Sequence, residues 1–156
     1  MPITRVDFWM RCRAEDFCFE DRHAVISITD PRQAPAIIRG AGSLLRLEFL
    51  DINDPIDHPK FSMDSLFSEC QAITLNTFAR QIHAGTAARE VIIHCEGGVS
   101  RSAAIALYIE CLSGCDFPRL EFADYANKRV VSMLERVAGL VIAIPARQEI
   151  LSHQIF

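Results

Sequence analysis

The sequence predicts an α/β fold, a central, mostly parallel sheet of about four to five strands flanked by helices. Three observations carry this. Short apolar runs near residues 3–9, 24–28, 44–50 and 91–94 have the length and β-branched content of strands. Longer stretches between and after them repeat apolar residues at helical spacing. One strand, Val91-Ile92-Ile93, has three β-branched residues in succession, as a strand buried on both faces of a largely parallel sheet would.

In chain order, Ile3 to Trp9 alternates imperfectly and reads as an edge strand. Trp9, Phe17 and Phe19 read as core aromatics. Ala24 to Ile28 is a short buried strand that Asp30-Pro31 ends. Asp30 to Gly42, with two prolines and two glycines, is a connection with room for one helical turn. Leu44 to Asp51 turns Leu45, Leu47 and Phe49 inward and Arg46 and Glu48 outward. A polar loop follows, then a helix expected over 62–84 with Ser62 as its cap and Gly85 as its stop. The helix expected over 101–113 is apolar nearly all round and therefore buried, and Gly114 ends it. Further helices are expected near 118–127, near 129–140 and after Pro145. The length fits a single domain over 1–156.

Between the buried strand and the buried helix lies His94-Cys95-Glu96-Gly97-Gly98-Val99-Ser100-Arg101-Ser102. The carboxyl edge of a parallel sheet is where open α/β folds bind ligands. Two glycines allow a tight turn with inward-facing N–H groups, and Ser100 is placed to cap the next helix. Such a loop, with a helix N-terminus and the planar fork of Arg101, suits an anion of phosphate size. The same field favours the thiolate of Cys95, and Ser102 can hydrogen-bond its sulfur.

The pattern from His94 to Ser102 resembles the signature of the cysteine-dependent protein tyrosine phosphatases, and its short form is most similar to the dual-specificity branch. The resemblance implies the small phosphatase fold and a hydrolase with a phosphocysteine intermediate. Cys95 would attack phosphorus, the backbone of residues 96–101 and Arg101 would bind the equatorial oxygens, and an aspartate from a loop after an earlier strand would protonate the leaving group. Asp51 fits that role best, because Leu47 and Phe49 reproduce the alternating strand that leads into the acid in similar sequences. Asp54 is the alternative, with Asn53 placed to orient it, and Asp57 a distant third. His94 would act behind the site, near the cysteine backbone. No metal or other cofactor is expected. Glu96 adds negative charge to the loop, and the loop has no lysine, which disfavours multiply phosphorylated lipids.

Composition narrows the partners. With 16 Lys plus Arg against 20 Asp plus Glu the net charge is −4, unlike a general binder of nucleic acid or anionic membrane. The first residues lack the apolar core of a signal peptide, and Val137 to Ile144 is too short to span a bilayer. The six cysteines show neither a CxxC pair nor metal-ligand spacing, so free thiols in a reducing cytoplasm are expected. A phosphorylated protein or a small phosphomonoester is the expected substrate. Two other readings stay open: a phosphate-binding module without turnover, and a sulfurtransferase of the rhodanese type.

Overall fold

A computed structural model describes residues 2–53 and 62–147. Four parallel strands, β1 (Ile3–Met10), β2 (His23–Thr29), β3 (Ser43–Glu48) and β4 (Arg89–Cys95), form one sheet in the order β1-β4-β2-β3. The helices α1 (Arg11–Asp16), α2 (Glu69–Ala84), α3 (Arg101–Ser113) and α4 (Lys128–Ala138) flank it. The architecture is therefore the expected α/β one. β4 has a neighbour on each side, and Val91 to Cys95 are all buried, which is why its run shows no polar alternation. β3 lies at one edge and keeps the alternation read from the sequence, with Leu47 buried between exposed Arg46 and Glu48. β1 is the opposite edge. Its outer side is covered by the chain at Asp116, which exchanges backbone hydrogen bonds with Thr4 and Val6.

The two faces are covered unequally. α3 packs on β1 and β4, with α4 against it and α2, over an apolar core that includes Phe8, Ile93, Ile105 and Tyr108. Among the described residues the other face carries only α1 and adjoining loops, over a smaller cluster of Trp9, Ala14, Phe19, Val25 and Ile92. Trp9 and Phe19 are core as expected, whereas Phe17 is partly exposed at the edge of that cluster. The short α1 was not anticipated, since its six residues bury only Ala14 and show no periodic pattern.

Two helix expectations differ from what forms. Ser62 caps a single 3-10 turn, Met63–Ser65, and α2 starts later, at Glu69, because Ser68 and Gln71 form a reciprocal capping box there. The helix expected over 118–127 is only a 3-10 turn, Leu120–Ala123. Of its large apolar residues Leu120, Phe122 and Tyr125 are exposed, so there is no apolar stripe to bury, and Asn127 is used to cap α4. Residues 141–147 form no regular element, and the rest of the stretch after Pro145 lies outside the described residues. Among the described residues no helix is long and apolar enough to cross a membrane.

Candidate active site

Cys95 is the last residue of β4, and α3 begins at Arg101, so the five residues between them cross from sheet to helix at the carboxyl edge. Gly98 makes the crossing possible. Its φ is +63°, and a Cβ there would fall 2.4 Å from the backbone nitrogen of Met10 and 2.6 Å from the carbonyl carbon of Trp9, so the loop presses on the end of β1 where only glycine fits. A Cβ on Gly97 would meet nothing within 4 Å, and Val99 points outward on the rim.

The loop closes around the buried sulfur of Cys95. The Gly98 N–H donates to Sγ at 3.3 Å, and the Ser102 hydroxyl lies 3.1 Å from it. Glu96 leans the other way and pairs with Arg11 at 2.9 Å, while its carbonyl accepts the Arg11 N–H. The extra charge that sequence reasoning set against anion binding is thus locally compensated. Ser100 occupies the capping position of α3 but makes no cap bond; its hydroxyl donates instead to Asp51 Oδ1 at 2.7 Å.

That bond brings Asp51 to the loop. The Asn127 side-chain amide donates to the same oxygen at 2.8 Å, and the Asn127 N–H donates to the Ser100 carbonyl. Asn127 also accepts the Val130 N–H as the cap of α4, so this helix start is built into the site. Among the described residues Oδ2 of Asp51 accepts no hydrogen bond from the protein. Asp54 and Asp57 lie outside the described residues. Asn53, expected to orient Asp54, is engaged elsewhere: its Oδ1 accepts the Lys128 N–H at the start of α4.

Arg101 is 95% buried and extends beneath the loop toward the neighbouring strand ends. Its Nη1 donates to Asp30 Oδ1 at 2.5 Å and to the Phe49 carbonyl at 2.7 Å. Asp30, just after β2, escaped sequence reasoning, which took it only as a strand terminator. Its location at the carboxyl edge beside β4 was the available sign. Asn127 was missed as well, since a capping asparagine gives no hint of a distant aspartate.

His94 is fully buried behind the site, with Nε2 2.6 Å from the Ser27 hydroxyl and Nδ1 without a hydrogen-bond partner. Burial lowers its pKa, partly offset by the Cys95 backbone and lowered further by the charge of Arg11. Arg46 Nη1 donates to the same Ser27 oxygen at 3.3 Å.

The assembled groups are a cysteine sulfur cradled by a backbone N–H and a hydroxyl, a fixed guanidinium, and an aspartate carboxyl group tied to the same loop. Comparison of the chain with family models, curated proteins and solved structures returns no match.

Proposed function

We propose that this protein is a phosphomonoester hydrolase, a tyrosine or dual-specificity protein phosphatase that works through a cysteinyl-phosphate intermediate. The observation that carries this reading is that one loop holds both the nucleophile and the acid: Gly98 and Ser102 bond Cys95, and Ser100 bonds Asp51. A carboxylic acid fastened beside a cysteine has a use in phosphate-ester cleavage, where the leaving oxygen needs a proton. Transfer of sulfur from thiosulfate has no such need, and a pure binding module needs neither group.

In the first step the Cys95 thiolate attacks phosphorus as the P–O bond to the leaving group breaks, and Asp51 delivers the Oδ2 proton to that oxygen. Loop N–H groups and the Nε–Nη2 edge of Arg101 hold the three equatorial oxygens, since both bonds of this arginine among the described residues use Nη1. In the second step water attacks the same phosphorus, Asp51 accepts its proton, and the P–S bond breaks to return the thiolate and free phosphate. Ser102, 3.1 Å from the sulfur, stabilises the departing thiolate. The mechanism requires Cys95 to be reduced; all six cysteines are free thiols, which fits a cytoplasmic location.

The test is a panel of aryl, alkyl and peptide phosphomonoesters assayed for phosphate release. Turnover that disappears in Cys95→Ser while phosphate or vanadate still binds supports the reading. Near-normal activity in that variant would exclude the covalent path.

A further inference from the structure

On the side of the loop away from Asp51 and Asp30, a cleft of about 240 Å³ lies against Gly97 and Gly98. Two arginines flank it, and they reach it from opposite faces of the sheet. Arg13, on α1, stacks over the ring of Trp9 at 4.2 Å. Arg119, after α3, stacks over the ring of Phe8 at 4.6 Å. Phe8 and Trp9 are consecutive in β1, so their rings point to opposite faces, and the two guanidiniums meet where that strand ends beside the loop.

Both arginines are held in place. Arg119 Nη1 donates to the Phe8 carbonyl at 2.6 Å and to Asp7 Oδ1 at 3.3 Å. Asp7 offsets part of its charge, but that carboxylate is itself engaged by the Phe8 N–H and the Trp9 indole N–H. Arg13 forms no ion pair among the described residues, and its side of the cleft is positive in a chain of net charge −4. Glu96, the nearest carboxylate of the loop, is taken up by Arg11. Stacking on an aromatic face leaves the edge donors of a guanidinium free, which suits a planar fork for carboxylate or phosphate. Gly97 offers no side chain to block the approach.

We propose that this cleft is a second anion subsite, which receives a carboxylate or phosphate carried by the same substrate whose scissile phosphate lies over Cys95. Gly97 is two residues from Cys95, so the two anions would be neighbours on the substrate, separated by about 7 Å per two residues of extended chain or less. The proposal rests on the phosphatase reading only for what happens at Cys95, and a binding measurement separates the two.

Trp9 is the only tryptophan in the chain and forms a wall of the cleft, so its fluorescence reports on occupancy. Titration of the wild-type protein with inorganic pyrophosphate should give a saturable change in Trp9 emission. Arg13→Ala, an exposed substitution, should weaken that binding about tenfold, and Arg119→Lys should weaken it to a smaller degree. In turnover, two phosphotyrosyl peptides that differ only in Asp or Ala beside the phosphorylated residue separate the carboxylate source from the phosphate source. Wild type should favour the Asp peptide about tenfold in kcat/KM, and Arg13→Ala should reduce that ratio toward one. Equal pyrophosphate affinity in wild type and Arg13→Ala overturns the proposal. A retained pyrophosphate response in a protein that hydrolyses no ester supports the cleft and overturns only the phosphatase reading.

Discussion

Arg101 and Asp30 are joined by one nitrogen: Nη1 carries the 2.5 Å bond to the carboxylate and the 2.7 Å bond to the Phe49 carbonyl, and among the described residues Nε and Nη2 make no hydrogen bond. The side chain of Arg101 is 6% exposed and that of Asp30 is 29% exposed, so solvent reaches the aspartate far more than the arginine. Asp30 therefore does two opposed things. It fixes the arginine, and it offsets the positive charge that an anion would seek.

Two substitutions separate these roles. Asp30→Asn keeps an acceptor for Nη1 and removes the charge, so orthophosphate or vanadate should bind several-fold more tightly. Asp30→Ala removes the anchor. It should lower stability by about 1.5–3 kcal/mol, the worth of a hydrogen bond to a charged group, and should lower kcat/KM at least tenfold. Denaturant melts and inhibition constants check both; weaker phosphate binding in Asp30→Asn would mean that the carboxylate charge itself organises the arginine.

The two loop glycines should behave differently. Gly98→Ala places a methyl group against the Met10 backbone at a φ of +63°, and should cost about 1–3 kcal/mol and displace the N–H that bonds Cys95. Gly97→Ala meets open space and should leave the melting temperature within a degree or two of wild type. Thermal melts of the pair, made side by side, decide this; equal losses would show that the loop can relax away from β1.

These relationships were unequally legible in the sequence. The strand, loop and helix around Cys95 were plain because three levels agree there: β-branched residues, then glycines, then a wholly apolar helix. The alternation of Leu45, Leu47 and Phe49 likewise placed Asp51 at a strand end. What sequence could not supply was the long-range pairing. Asp30 reads locally as a residue before proline, and Asn127 as a helix cap; only the parallel order of the sheet brings the first beneath Arg101, and only the packing of α4 on α3 brings the second to Asp51. Ser62 was mistaken for the cap of α2 because its local chemistry is as suitable as that of Ser68, and the capping box with Gln71 decides between them.

His94 should make stability depend on pH. Its folded-state pKa is lowered below the ordinary 6.5, chiefly by burial, so an unfolded chain takes up a proton there that the folded protein refuses. Stability from this residue is full above about pH 6.5 and declines as pH falls from there toward the folded value, by up to about 1.4 kcal/mol per pH unit. Denaturant unfolding of wild type and His94→Gln at pH 7.5, 6.5 and 5.5 checks the sign. Wild type should lose more on acidification; parallel slopes would show that the buried ring is not the source.

The bonds to Asp51 determine how its role as acid should be tested. If it protonates the leaving oxygen, Asp51→Asn should slow hydrolysis of an alkyl or phenyl phosphate by about 10²–10⁴-fold, and less for an ester whose leaving group is already a stable anion. The basic limb of the pH–rate profile should flatten with it. Ser100 and Asn127 both hold Oδ1 and do not touch the reacting atoms, so Ser100→Ala and Asn127→Ala should each give a smaller loss, larger for poor leaving groups than for good ones. A structural effect alone would slow all esters equally. Asp54→Asn, made in parallel, should cost much less than Asp51→Asn. Should Asp54→Asn instead give the larger loss and the flattened limb, the Ser100–Asp51–Asn127 linkage serves only to join α4 to the loop, and the acid lies three residues further along.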